Sequence, residues 1–156
     1  DRKLHIGIAW KGNPQSDIDR YRSIPFEQFL ELYKVPGIQL YSLQVDNFSA
    51  ELYEQGAAVL VRDLKPYIRD VADTISLLPH LDMVICLESA LGHIAGLVGK
   101  ECWFPYSFQG RDYRLGHRGD NGIWYPKHRA FRQEKGDTWK PVFEHINLAL
   151  RAKING

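Results

Sequence analysis

The chain has 156 residues, 44% hydrophobic and 25% charged, with a formal net charge of +1. That length allows one domain with a real core, and the near-neutral charge excludes a grossly basic nucleic-acid binder while leaving room for a local basic patch. No apolar stretch reaches the roughly 18–20 residues a membrane span needs, and no signal peptide is visible, so cytoplasmic residence is the expectation. The sequence opens at Asp1 on strand-like residues, and 1–156 reads as a single domain cut from a longer protein.

In chain order, residues 3–10 (KLHIGIAW) alternate and are rich in β-formers, which predicts a strand. Residues 11–25 make a polar loop. Residues 26–34 carry Phe26, Phe29, Leu30 and Tyr33 at helical spacing before VPG breaks the run. A second strand is expected over 38–43. A short helix over 49–55 has Ser49 as its N-cap, and AAVLV at 57–61 predicts a third strand. Residues 70–79 form a helix ended by Pro79, with Asp70 and Asp73 as favourable charges at its start. DMVICL at 82–87 is a continuous apolar strand of the kind buried on both faces. A helix over 89–98, a strand over 101–104 and a long irregular segment over 105–127 follow. HRAFRQ is a last strand. The C-terminal helix starts near Asp137 or Thr138, with Pro141 in its first turn. Cys86 and Cys102 lie in apolar runs and read as small core hydrophobes. Helices alternating with strands around an apolar central strand predict an α/β fold, a doubly wound parallel sheet of Rossmann-like type.

In such sheets ligands gather at the carboxyl ends of the strands. At LESALGHIAG (87–96) a strand gives way to a helix whose first N–H groups lack intrahelical partners, a donor-rich spot suited to a phosphate. Ser89 can cap that helix or donate to an oxygen, Ala90 and Gly92 permit close approach, and His93 stands on the first turn. The loop after the first strand adds Lys11, Arg20 and Arg22, with Gly12 and Asn13 at its mouth. Gln44 follows the second strand, where an amide can read a base or a sugar hydroxyl. The long irregular segment is cationic through Arg111, Arg114 and Arg118. Each feature also has a plain structural reading: a capping serine, a satisfied half-buried histidine, a solvated charged loop. No G-x-G-x-x-G, Walker A, G-x-S-x-G or zinc-ligand spacing is present, so no metal and no resident cofactor are expected.

Together HIGIAWKGNP, RYRSIPFEQF, YSLQ, IRDVADTISLLPHLDMVICLESALGHIAGLVG, GRDYRLG and WYPKHRAFRQ, in that order along nearly the whole chain, resemble the carboxyl-terminal domain of heptosyltransferase-type glycosyltransferases. The likeness is to the form found behind tetratricopeptide repeats in bacterial proteins. The resemblance implies one lobe of a two-lobed GT-B enzyme, inverting and metal-independent, that holds a nucleotide sugar. It implies that Gly12, Asn13 and Arg22 face the donor phosphates or sugar and that Gln44 lies on the wall of the nucleotide site. Glu88 takes the acidic position that holds the sugar, and Ser89, Gly92 and His93 line the diphosphate pocket. Glu88, His93 and Arg22 are then the catalytic candidates. Lys11, Gly12, Asn13, Gln44, Ser89, Ala90, Gly92 and Arg114 are the donor-binding ones. The expected partners are the nucleotide sugar, an amino-terminal acceptor lobe and tetratricopeptide repeats, with no membrane span and no nucleic acid. The acidic position is commonly Asp, and Glu88 adds a methylene there. This departure keeps open an alternative, a catalytically degenerate nucleotide-sugar-binding or scaffold module.

Overall fold

The computed structural model describes residues 2–110, 114 and 123–156. Six strands, β1 (Leu4–Ala9), β2 (Ile38–Ser42), β3 (Arg62–Asp63), β4 (Met83–Cys86), β5 (Cys102–Tyr106) and β6 (His128–Arg132), form one sheet in the order β3-β2-β1-β4-β5-β6. Every pairing is parallel. The helices α1 (Asp19–Arg22), α2 (Phe26–Leu30), α3 (Glu51–Glu54), α4 (Val71–Leu77), α5 (Ala90–Leu97) and α6 (Lys140–Asn155) flank it. The predicted α/β, doubly wound sheet is therefore the fold.

The order reverses between β1 and β4. Strands β1, β2 and β3 step toward one edge, and β4, β5 and β6 step toward the other. Because crossovers in parallel sheets are right-handed, the reversal sends the two sets of connections to opposite faces. The loops leaving β1 and β4 therefore part from each other and leave a crevice at their carboxyl ends. The residues of β4 explain why it is central: Met83, Val84, Ile85 and Cys86 are all fully buried, as a strand covered on both faces requires. Ile6 of β1 lies level with Leu40 on one side and Met83 on the other. Beneath the loop after β1, Trp10 packs on Phe26 with ring centres 4.5 Å apart. Phe29 of α2 meets Phe143 of α6 edge-on at 5.1 Å. On α6 the buried residues are Val142, Phe143, Ile146 and Leu150, the stripe that faces a core at helical period.

Several local expectations are corrected. AAVLV is not a strand. Residues Ala57–Val59 turn as a 3-10 helix and the strand is the two-residue β3 that follows. Ala57 and Val61 are buried while Val59 and Leu60 face solvent; a strand would have put Val59 on the same side as both. An apolar run of five carries both periods, and here the i, i+4 pair decides. The short helix α3 has Ala50, not Ser49, at its N-cap position and no side-chain cap; Asp46 caps the 3-10 turn that leads into it, its carboxylate accepting from the Phe48 N–H at 2.9 Å. Ser49 instead is buried in the 3-10 turn Asn47–Ala50 and accepts from Lys65 Nζ at 3.0 Å. The C-terminal helix does begin just after Asp137 and Thr138, with Pro141 in its first turn as expected; Trp139 holds the N-cap position and no side chain caps it. Asp70 does cap α4, accepting from the Asp73 N–H at 3.0 Å. Cys86 and Cys102 are buried free thiols on neighbouring strands, their sulfurs 3.7 Å apart. Arg111 and Arg118 lie outside the described residues. No helix among the described residues is long and apolar enough to cross a membrane.

Candidate functional site

The crevice at the β1/β4 reversal is a cavity of about 400 Å³. Lys11, Gly12, Asn13, Arg22, Gln44, Ser89 and Ala90 line it together with Pro14, Leu43, Val45, Asp46 and Leu91. The sequence placed the first seven at a ligand site from three separate segments, and the fold brings all seven to one wall.

The wall is built by hydrogen bonds. Gln44 leaves β2 buried, and its side-chain carbonyl accepts from the Trp10 N–H at 3.0 Å and the Lys11 N–H at 3.1 Å. Its amide nitrogen donates to the Lys11 carbonyl at 3.0 Å and to the Asp46 carboxylate at 2.8 Å. Both ends of Gln44 are thus spent on holding the β1 loop. It lines the cavity as a clamp, where the sequence suggested a reader of a base or a sugar. Lys11 extends to Glu51 at 2.5 Å and lies 4.6 Å from the centre of the Phe48 ring. Asn13 is exposed and closes a local turn by accepting from the Gln15 N–H at 3.0 Å.

Arg22 ends the four-residue helix α1 and reaches across the crevice. Its Nη1 donates to the Glu88 carbonyl at 3.2 Å, so the loops after β1 and β4 are joined through this one guanidinium. Its Nε donates to Asp19 Oδ1 at 3.3 Å. A Cβ on Gly12 would stand 2.8 Å from Arg22 Nη2 and closer still to Asp19, so Gly12 is a glycine because this pair lies against its backbone.

Ser89 holds the N-cap position of α5 in extended backbone, yet its hydroxyl makes no capping bond. The Oγ is buried without any hydrogen-bond partner, an arrangement that typically costs about 1–3 kcal/mol unless a ligand or water supplies the bond. Ala90 and Leu91 open α5, where backbone N–H groups have no intrahelical acceptor. An orphaned hydroxyl and first-turn donors therefore meet at the cavity wall.

Glu88, Gly92, His93 and Arg114 are not among the residues that line this cavity. Glu88 contributes its carbonyl to the Arg22 contact. His93, one turn into α5, has its ring 5.9 Å from that of Tyr125. Gly92 is buried against Phe104, whose Cζ would lie 2.6 Å from an added Cβ, so it serves the packing of α5 on β5. The Arg114 carbonyl accepts from the Ile123 N–H at 2.9 Å. Sequence reasoning missed Asp19, Asp46 and Glu51, the carboxylates that hold Arg22, Gln44 and Lys11. Asp19 lies three residues before Arg22, and that spacing was a legible signal for an ion pair on one helical turn.

A second cavity, about 390 Å³, shares Leu43, Val45, Ala90 and Leu91 with the first. Its remaining lining includes Ile68, Val71 and Ile94, with Arg69, Asp70 and Thr74 as polar members. Two mainly apolar cavities thus adjoin, the first with Lys11, Arg22 and Asp46 and the second with Arg69 and Asp70 as their charged members. Among the described residues no group of three His, Cys, Asp or Glu side chains is placed to hold a metal ion. Compared with known protein families, curated proteins and solved structures, the chain matches none.

Proposed function

We propose that this domain is the donor-binding lobe of an inverting, metal-independent glycosyltransferase, taking a nucleotide sugar as substrate. The observation that carries the reading is the gathering of Lys11, Gly12, Asn13, Arg22, Gln44, Ser89 and Ala90 around one cavity at the strand-order reversal. A nucleotide sugar is a diphosphate joined to a flat base, and the two adjoining cavities offer it charged side chains and apolar surface together. The diphosphate meets Arg22, Lys11, the Ser89 hydroxyl and the first turn of α5. The base enters the second cavity, beside Leu43, Ile68 and Leu91.

In glycosyl transfer the bond from the sugar's anomeric carbon to the diphosphate oxygen breaks, and negative charge grows on the leaving phosphate. Donors already aimed at that oxygen stabilise the charge, and removing one of them costs about 10²–10³ in rate in comparable sites. In this reading Arg22 and the α5 N–H groups are those donors. The acceptor hydroxyl needs a general base within hydrogen-bond reach, which the resemblance assigns to an amino-terminal lobe. The domain alone then binds donor without transferring sugar.

Calorimetric titration with a panel of nucleoside diphosphates and their sugar conjugates, with and without EDTA, tests the reading. The expected result is binding of one nucleotide class, unaffected by EDTA and weakened in Arg22→Ala and Ser89→Ala. Absence of binding to every member overturns it. The alternative, a binding module without transfer, draws on the ion pairs that already occupy Lys11 and Arg22. Sugar transfer by this domain joined to its acceptor lobe, lost in Glu88→Ala with donor binding intact, eliminates that alternative.

A further inference from the structure

We propose that Asp19 is a positioning residue that aims the Arg22 guanidinium at the anion in the cavity; this rests on the donor-site reading above. Arg22 stands on a four-residue helix inside a polar loop, a place where a long side chain would ordinarily sample many rotamers. It does not sample them freely here, because Asp19 fixes its Nε edge and the Glu88 carbonyl fixes Nη1. Two of the five guanidinium N–H groups are so engaged, and the others belong to a side chain on the cavity wall.

Asp19 is itself held. It is 8% exposed, and its second oxygen accepts from Ser23 Oγ at 2.8 Å. That hydroxyl oxygen accepts in turn from the Gly12 N–H at 3.4 Å, and the Ser23 N–H donates to the Asp19 carbonyl at 2.8 Å. Ser23 holds one oxygen of the carboxylate independently of Arg22, which leaves the other placed to receive the guanidinium. A chain of contacts therefore runs from Gly12 through Ser23 and Asp19 to Arg22 and on to Glu88, spanning both loops of the crevice.

The sign of the effect separates positioning from simple electrostatics. Asp19 places a negative charge beside a site read as binding an anion. On charge alone, removing it raises affinity. If Asp19 acts by holding Arg22, removing it lowers affinity although the net charge becomes more positive. Asp19→Asn keeps the shape and an acceptor for Arg22 Nε, so it retains most of the binding that Asp19→Ala loses.

The test uses the whole chain, with inorganic pyrophosphate and the nucleoside diphosphate panel as probes. Binding is measured in the wild type, Asp19→Ala, Asp19→Asn, Arg22→Ala and the Asp19→Ala/Arg22→Ala double variant. In parallel, the Arg22 Nε–H resonance is followed by NMR in the ligand-free protein, with thermal melts to establish folding. The proposal expects a resolved, slowly exchanging Nε–H in the wild type and Asp19→Asn, lost in Asp19→Ala. It expects Asp19→Ala to weaken pyrophosphate binding by about tenfold, the scale of one charge-assisted hydrogen bond, and to add nothing once Arg22 is gone. Should Asp19→Ala fail to fold, Gly12→Ala takes its place: the added Cβ displaces the same pair and must produce the same loss, again only when Arg22 is present. Pyrophosphate binding that is unchanged or tighter in the folded variant, or losses that add in the double variant, overturns the positioning role and leaves the donor site standing. A wild type that binds neither pyrophosphate nor any nucleoside diphosphate overturns the donor reading and the positioning role with it.

Discussion

Lys11 and Glu51 form an ion pair 2.5 Å long at the cavity wall, with the ammonium also 4.6 Å from the centre of the Phe48 ring. The two side chains are 29% and 18% exposed, so the pair is only partly screened by water. Any phosphate that uses Lys11 must compete with this carboxylate. Glu51 comes from α3, an element that otherwise contributes nothing to the cavity. Replacing Glu51→Gln leaves a similar shape without the charge and frees the ammonium. Partly exposed pairs are worth about 0.2–1 kcal/mol, so affinity for pyrophosphate should rise up to about fivefold. The expected direction is opposite to that for Asp19→Ala, although both changes remove one negative charge. Titration of the two variants side by side checks this contrast.

Gln44 carries a stability prediction in place of the recognition role its position suggested. Gln44→Ala deprives the N–H groups of Trp10 and Lys11 of their shared acceptor. Trp10 is fully buried, so its N–H cannot turn to water. An unsatisfied buried donor costs about 1–3 kcal/mol, and the variant should melt at lower temperature by several degrees. Its ligand affinity should also fall, because the Lys11 loop is no longer fixed to β2. An unchanged melt would mean that the clamp contributes nothing to the fold.

How much of this was legible in the sequence depends on the distance over which each signal acts. The α/β class and the parallel sheet were readable because β4 is apolar at every position and the helices between strands keep their period. Most residues of the cavity wall were readable because they stand directly after a strand, where parallel sheets place their loops, and Arg22 lies farther along the loop that follows β1. The direction in which side chains point was not. Gln44 and Gly92 both sit in suggestive places, yet one is spent on the Lys11 loop and the other on Phe104. Their partners lie far along the chain, and local pattern carries no record of them. AAVLV failed for a different reason: five apolar residues fit a strand or a helical turn equally well, and only burial of Ala57 and Val61 against exposure of Val59 settles it.

The thiols supply a probe of how the sheet opens. Cys86 and Cys102 are fully buried on β4 and β5. Burial, with the neighbouring Cys86, pushes the Cys102 thiol well above its ordinary range. Only the thiolate attacks a disulfide reagent, so both exclusion and chemistry oppose reaction. With Ellman's reagent near neutral pH the native protein should react only through opening of the sheet, and denatured protein should release both thiols at once. Labelling rates measured against denaturant concentration then report the opening free energy of β4 and β5. Rapid reaction of either thiol in the native state would contradict the buried pair.

Gly92 provides a test whose sign opposes simple helix propensity. It lies inside α5, where exchanging Gly for Ala ordinarily stabilises a helix by about 1 kcal/mol. Here the added methyl would stand 2.6 Å from Phe104 Cζ, and Phe104 is itself buried in β5. Overpacking of this kind typically costs about 1–3 kcal/mol, which outweighs the propensity gain at the upper end of that range. Gly92→Ala should therefore lower the melting temperature, and Phe104→Leu in the same chain should restore part of the loss, because it removes the ring atoms that collide. The cycle also separates the two roles the sequence allowed for this glycine. If Gly92 only admits α5 to the sheet, the folded fraction of Gly92→Ala binds pyrophosphate as the wild type does, and the rescue acts on stability alone. If it admits a ligand, affinity falls and Phe104→Leu does not return it.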